Sequence, residues 1–254
     1  MTAQSLSWNM PLILLGLIVL FSYTAQAITG FGSTVVALTL GVHLFTLGEL
    51  LPVLVALNLP LCSYFVIRHG SSIDRGLLFR QILPWMTAGV CAGLVIFHFI
   101  PGPYAKYLFG ILIVIFALRE SARLLFTRDS APAPMSDPVF RITVFFAGIT
   151  HGMYASGGPL LVYAVSKKEL TSAVFRSTLM AVWLVFNVVL IGVYFFRGNW
   201  TEKTTFTVLA LLPLIPAGIW VGEILHHRIS VRGFWMLVQA VLLVSGISFL
   251  IKTN

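Results

Sequence analysis

Long apolar runs with few polar positions dominate this chain. Six of them, 50–67, 79–100, 104–126, 173–196, 204–226 and 231–251, are long enough to cross a membrane as helix, since a hydrocarbon core of about 30 Å takes roughly 20 helical residues. Two further apolar regions, 11–47 and 140–166, are interrupted by glycine, at Thr29-Gly30-Phe31-Gly32-Ser33 and Ala155-Ser156-Gly157-Gly158-Pro159. Each interrupted region predicts either a crossing helix with irregular backbone or a pair of half-helices returning to the side it came from. The stretch Thr127–Pro138 holds Pro132, Pro134, Asp129 and Asp137. It reads as a cytoplasmic linker between a first membrane repeat, 1–126, and a second, 139–254.

The repeats are visible as identities at an offset of 129: Asn58 with Asn187, Arg68 with Arg197, Pro84 with Pro213, Gly89 with Gly218 and Gly93 with Gly222. The fold expected is an all-α polytopic membrane protein of two inverted structural repeats. Each repeat has a broken, re-entrant helix pair plus three crossing helices. If both broken regions are re-entrant, the 16 basic residues divide 12 to 4 between the two sides; if both cross, the division is 10 to 6. Because cytoplasmic loops carry the excess of Lys and Arg, the re-entrant plan is favoured. It places both termini outside the cytoplasm.

Composition narrows the class. With 58% hydrophobic and 9% charged residues, the chain has too few charges to cover a water-soluble surface of its size, so lipid is its main solvent. A net charge of +8 sits in short loops between apolar runs, where it serves topology and anionic lipid rather than nucleic acid. No secretory signal peptide is expected. Cys62 and Cys91 lie within apolar runs with no ligand spacing and read as small buried side chains. No cofactor or metal is implied.

Broken membrane helices expose backbone groups that lipid cannot satisfy, so such breaks belong inside the protein or beside a watery cavity. Each following half-helix begins with free N–H groups and a positive dipole end, which suits an anion. Gly30, Phe31, Gly32, Ser33 and Thr34 at the first break, and Tyr154, Ser156, Gly157 and Gly158 at the second, are therefore candidate binding residues. Glycines there either let backbone approach a ligand or permit close packing. Asn58 and Asn187 are intramembrane amides that either bond a ligand or satisfy the breaks. His151 is a neutral donor, a protonatable anion partner or a structural residue. Arg176 is a flank anchor or an anion attractor. Gly89-x-x-x-Gly93 and Gly218-x-x-x-Gly222 read as packing motifs, and Trp85, Trp183, Trp200 and Trp235 as interfacial belts or helix packing. Asp and Glu fall at segment ends, so the inventory suits an anion or a neutral polar solute rather than a cation. A hydrolase using Ser156 with His151 has no second motif behind it.

Taken together, Ile28-Thr29-Gly30-Phe31-Gly32-Ser33, Gly148-Ile149-Thr150-His151-Gly152-Met153-Tyr154-Ala155-Ser156-Gly157-Gly158 and the segments after Pro84 and Pro213 resemble the TauE/SafE family of sulfite and organosulfonate exporters. The resemblance runs over nearly the whole chain. The first signature departs from it, with Ser33 and Thr34 where glycines are common and no proline close behind. The resemblance implies a non-enzymatic carrier in the bacterial inner membrane. Its expected cargo is a small sulfur-containing anion such as sulfite or sulfoacetate, moved by alternating access between the repeats. An anion channel, or a transporter of another small anionic or polar solute, is the alternative.

Overall fold

The structure is a computed structural model that describes residues 3–100, 102–126, 135–226 and parts of 239–250. Every element it describes is helical: α1 Ala3–Thr29, α2 Ser33–Gly41, α3 Leu47–His69, α4 Leu83–Phe99, α5 Gly102–Phe126, α6 Asp137–Tyr154, α7 Gly158–Val165, α8 Ser172–Phe196, α9 Glu202–Leu211 and α10 Leu214–His226. A π-helical stretch, Leu77–Ile82, leads into α4 ahead of Pro84. Pro213 separates α9 from α10 within one apolar span. Among the described residues, six helical spans, including Leu47–Ser72, Leu77–Phe99, Ser172–Phe196 and Glu202–Leu225, have the length and apolarity to cross a membrane. The chain is a multi-pass membrane protein. Its lipid-facing surface carries fully exposed side chains such as Ile67, Phe99 and Phe196. Cys62 is buried as expected, but Cys91 is exposed on α4, because the other face of that helix is the one packed inward. The expected crossing at 231–251 and most of the linker lie outside the described residues. Asp137 and Pro138 belong to the first turn of α6 rather than to the linker, where proline's missing N–H costs nothing.

Both broken regions fold back on themselves. At the end of α2, a Cβ built on Gly41 would lie 3.7 Å from Leu15 and 3.1 Å from Leu50, so α2 runs back along α1. After α7, Lys168 reaches Asp137 at the start of α6, 3.6 Å away, and its ammonium lies over the Phe140 ring. Each glycine interruption is therefore the tip of a helical hairpin.

The glycine motifs set the packing between halves. Gly89 and Gly93 of α4 lie against Gly148, Ile149 and Gly152 of α6, backbone on backbone. Their counterparts Gly218 and Gly222 of α10 lie against Tyr23, Thr24 and Ala27 of α1. Exchanging the halves thus maps one interface onto the other. In lipid, close backbone approach of this kind replaces the hydrophobic driving force between helices. At the centre α3 packs on α8, with the Cys62 sulfur 3.9 Å from that of Met180.

Candidate functional site

The two hairpin tips meet. The Phe31 ring sits 3.1 Å from where a Cβ on Gly158 would be. Beside this contact lies a small polar cavity lined by Gln26, Gly32, Thr34 and Val35 of the first hairpin, Asn58 of α3, His151, Ala155, Ser156 and Gly158 of the second hairpin, and Trp183 and Asn187 of α8.

The first limb ends in the same way at both tips, although the residue before the returning helix is left-handed in one, Gly32 at φ 105°, and right-handed in the other, Gly157 at φ −71°. In each, a left-handed residue ends the first limb: Gly30 at φ 90° and Ala155 at φ 51°. Its N–H closes the last helical turn, Gly30 on the Gln26 carbonyl at 2.8 Å and Ala155 on the His151 carbonyl at 2.7 Å. The returning helix starts three residues later, at Ser33 and Gly158. Through the breaks the repeat offset is therefore 125 rather than 129, and Gln26 is the counterpart of His151.

The two counterparts are used differently. Gln26 and Asn58 form a reciprocal amide pair, Gln26 Nε2 donating to Asn58 Oδ1 at 3.2 Å and Asn58 Nδ2 to Gln26 Oε1 at 3.1 Å. Gln26 Oε1 also accepts the Ser33 N–H and hydroxyl, so it caps the start of α2. Asn58 Nδ2 donates further to the Ser33 and Thr34 hydroxyls, and the Cys62 thiol donates to Asn58 Oδ1. The first hairpin's polar groups are thus satisfied by one another. At the second tip neither ring nitrogen of His151 nor the Ser156 hydroxyl has a hydrogen-bond partner among the described residues, although both side chains are only 2% exposed. No hydrogen bond of the Asn187 side chain to a described residue is found either, and it faces the same cavity. His151 stacks on Trp183, ring centroids 5.5 Å apart, and meets Phe186 in a T-shaped contact at 5.9 Å.

Of the sequence candidates, Gly32, Thr34, Asn58, His151, Ser156, Gly158 and Asn187 line the cavity. Ser33 lies one bond behind it in the Gln26–Asn58 network. Gly30 offers its carbonyl to the Trp183 indole N–H at 3.1 Å, outside the cavity lining. Gly157 tucks against the Ala147 carbonyl and the His151 Cβ, an approach only glycine permits. Two candidates lie elsewhere. Tyr154 turns away to donate to the Ala105 carbonyl at 2.8 Å, between Phe97 and Phe109. Arg176 donates to the Ala27 carbonyl at 3.0 Å with its guanidinium over Phe65, satisfying a carbonyl freed by the end of α1. Sequence reasoning missed Gln26, whose only signal was a polar residue four positions before Gly30. It also placed Trp183 among belt and packing residues. Trp183 does join α8 to the first tip, but it forms a wall of the cavity as well.

The family model for the sulfite exporters TauE/SafE matches residues 14–249. The chain belongs to that family. It is a membrane transporter, not an enzyme, and the Ser156–His151 hydrolase reading lapses: His151 offers Ser156 no hydrogen bond. No curated protein and no solved structure matches the chain.

Proposed function

We propose that this family member exports a small sulfur-containing oxyanion, such as sulfite, sulfoacetate or another organosulfonate, with the cavity between the hairpin tips as its binding site. One observation carries the reading: buried His151 and Ser156 lack partners at the cavity wall. Leaving a buried polar group unsatisfied costs about 1–3 kcal/mol, so a site that keeps such groups is poised for a ligand that satisfies them. The start of α7 adds its positive dipole end on the same side. Its first intrahelical bond is Leu161 N–H to the Gly157 carbonyl, so earlier N–H groups have no helical acceptor. The first hairpin's start is already capped by Gln26. The anionic oxygens therefore belong against the second tip, with His151, Ser156 and Asn187 as donors and the Gln26–Asn58 pair as the opposite wall.

A sulfonate or sulfite group presents three acceptor oxygens, which converging O–H and N–H donors match. We place the protein in the bacterial inner membrane with the repeats inverted and both termini outside the cytoplasm. Transport proceeds by alternating access as one part rocks around the fixed site. Counterflow tests the cycle: preloading vesicles with cargo accelerates exchange through a carrier and leaves an open pore unaffected. Accessible tags at residues 1 and 254 on opposite sides of the membrane would contradict the inverted plan.

Binding is tested by thermal shift of the purified protein with sulfite, sulfate, sulfoacetate, taurine and isethionate. A hydrogen bond to a charged ligand is worth roughly 1.5–3 kcal/mol, so Ser156→Ala should weaken binding of the stabilising anion about tenfold or more. His151→Ala should weaken it at least as much. Without ligand, Ser156→Ala should melt no lower than the parent, because it removes a hydroxyl with no hydrogen-bond partner among the described residues, whereas His151→Ala should melt lower, because it empties the space the ring fills against Trp183 and Phe186. Undiminished affinity in both would move the site elsewhere.

A further inference from the structure

A second cavity adjoins the first. It is lined by Phe31, Gly32, Val35 and Val36 of the first hairpin, Pro159 and Val162 of α7, Ile113, Phe116 and Arg119 of α5, and Gln239 and Leu242. Gly32 and Val35 border both cavities. The Phe31 ring stands in the second cavity with its edge on Gly158, which lines the first. Arg119, the first charged residue of α5 after Lys106, holds its guanidinium 3.7 Å above the Tyr163 ring. Lys167 lies 5.4 Å from the same ring.

We propose that the second cavity is the vestibule through which cargo reaches the central site, that Phe31 is the barrier between the two, and that Arg119 at the vestibule draws in anions. This takes the central cavity to be the cargo site, as argued above. The vestibule walls are apolar apart from Arg119 and Gln239, so an anion passes without being held. Arginine stacked on tyrosine holds its guanidinium, and so its charge, in place. Phe31 is set by a backbone that only glycine allows: Gly30 and Gly32 on either side have φ of 90° and 105°. A modest turn of this segment would swing the ring off Gly158 and join the cavities.

Cysteine labelling tests this without any assumption about the cargo. In a Cys91→Ala background, with that protein as the blank for Cys62, a cysteine is placed at Ser156 in the central cavity or at Val36 in the vestibule. Each is reacted with a negatively charged or a positively charged methanethiosulfonate. Phe31→Ala, which removes the barrier ring, should speed labelling at 156 about tenfold more than at 36, whereas Phe31→Trp should slow it at 156. Arg119→Gln should lower the ratio of anionic to cationic rates at 36 at least about threefold, with Arg119→Lys restoring it. Labelling at 156 indifferent to both Phe31 variants, or a charge ratio indifferent to Arg119, overturns the proposal. Protection of Ser156→Cys by sulfoacetate, which unlike sulfite does not consume a methanethiosulfonate, is a separate readout: its absence counts against the cargo reading and leaves the route standing.

Discussion

Gly89→Ala should yield little folded transporter, while Gly218→Ala, the matched change in the other half, should be recovered at near parental stability. The sequence treats these glycines as equivalents. Their surroundings differ. A methyl on Gly89 would run into the Phe145 carbonyl and come within 2.9 Å of the Gly148 Cα, with the Ile149 nitrogen at 3.0 Å. All of these are backbone atoms of α6, so relief requires moving the helix. On Gly218 the same methyl finds the Thr24 nitrogen at 3.4 Å and side-chain atoms at 3.5 Å, an ordinary contact. Overpacking that displaces backbone costs about 3 kcal/mol or more. In a chain of this size that lowers the melting midpoint by about 10 °C. The displaced helix, α6, also carries His151 into the site, so residual Gly89→Ala protein should bind anion poorly. Gly222→Ala falls between, since its methyl meets the Ala27 side chain at 2.6 Å. Melting curves of the purified variants check the order; equal behaviour of Gly89→Ala and Gly218→Ala would mean the two interfaces are alike.

The second large effect separates the two asparagines. Asn58→Leu should lower thermal stability sharply, and Asn187→Leu should instead leave the fold intact and weaken anion binding by about tenfold or more. Removing the Asn58 amide leaves Gln26 Nε2 with only the Cys62 and Met180 sulfurs and takes the acceptor from the Cys62 thiol, while Ser33 keeps its bonds to Gln26 Oε1. At roughly 1–3 kcal/mol for an orphaned buried amide, the loss is about 1–3 kcal/mol. It also loosens the cap on α2, because Gln26 is held in place by Asn58. Asn187 has no such dependants; its amide faces the cavity. Melting midpoints and anion titrations on the two variants decide it. Had the halves been functionally symmetric, both leucine variants would lose affinity alike.

Much of the fold was written in the pattern of residues. Apolar runs of helical length can do only one thing in lipid, since an unsatisfied backbone there is too costly, and the five expected crossings that fall on described residues match helical spans to within a few residues. Gly30 and Gly32 announced the first break, where φ is positive, and Gly157 and Gly158 the second, where a side chain would meet the Ala147 carbonyl or the Phe31 ring and the left-handed residue is Ala155. The glycine motifs announced close helix contacts. Gln26 was hidden by the repeat itself. Asn58 and Asn187 match at 129, but the tips match at 125. The second half carries four more residues between its tip and its asparagine, so an offset read from the later segments points past the Gln26–His151 pair. Tyr154 and Arg176 were drawn toward the site by nearness in sequence. One faces the opposite side of its helix, and the other reaches a freed carbonyl behind the tip.

The chain's residues alone thus determined that it lives in a membrane, that its pattern of residues recurs at a fixed offset, and where its helices must break, because length, apolarity and glycine act locally and leave little choice. Which polar groups are spent on one another and which face the cavity was decided only by tertiary packing. Gln26 and Asn58 meet across 32 residues and satisfy each other, while His151 is turned against Trp183 and Phe186, aromatic walls with no acceptor to offer it. Hydrogen-bond partnership depends on ångström distances between segments far apart in the chain, and no local pattern carries that information.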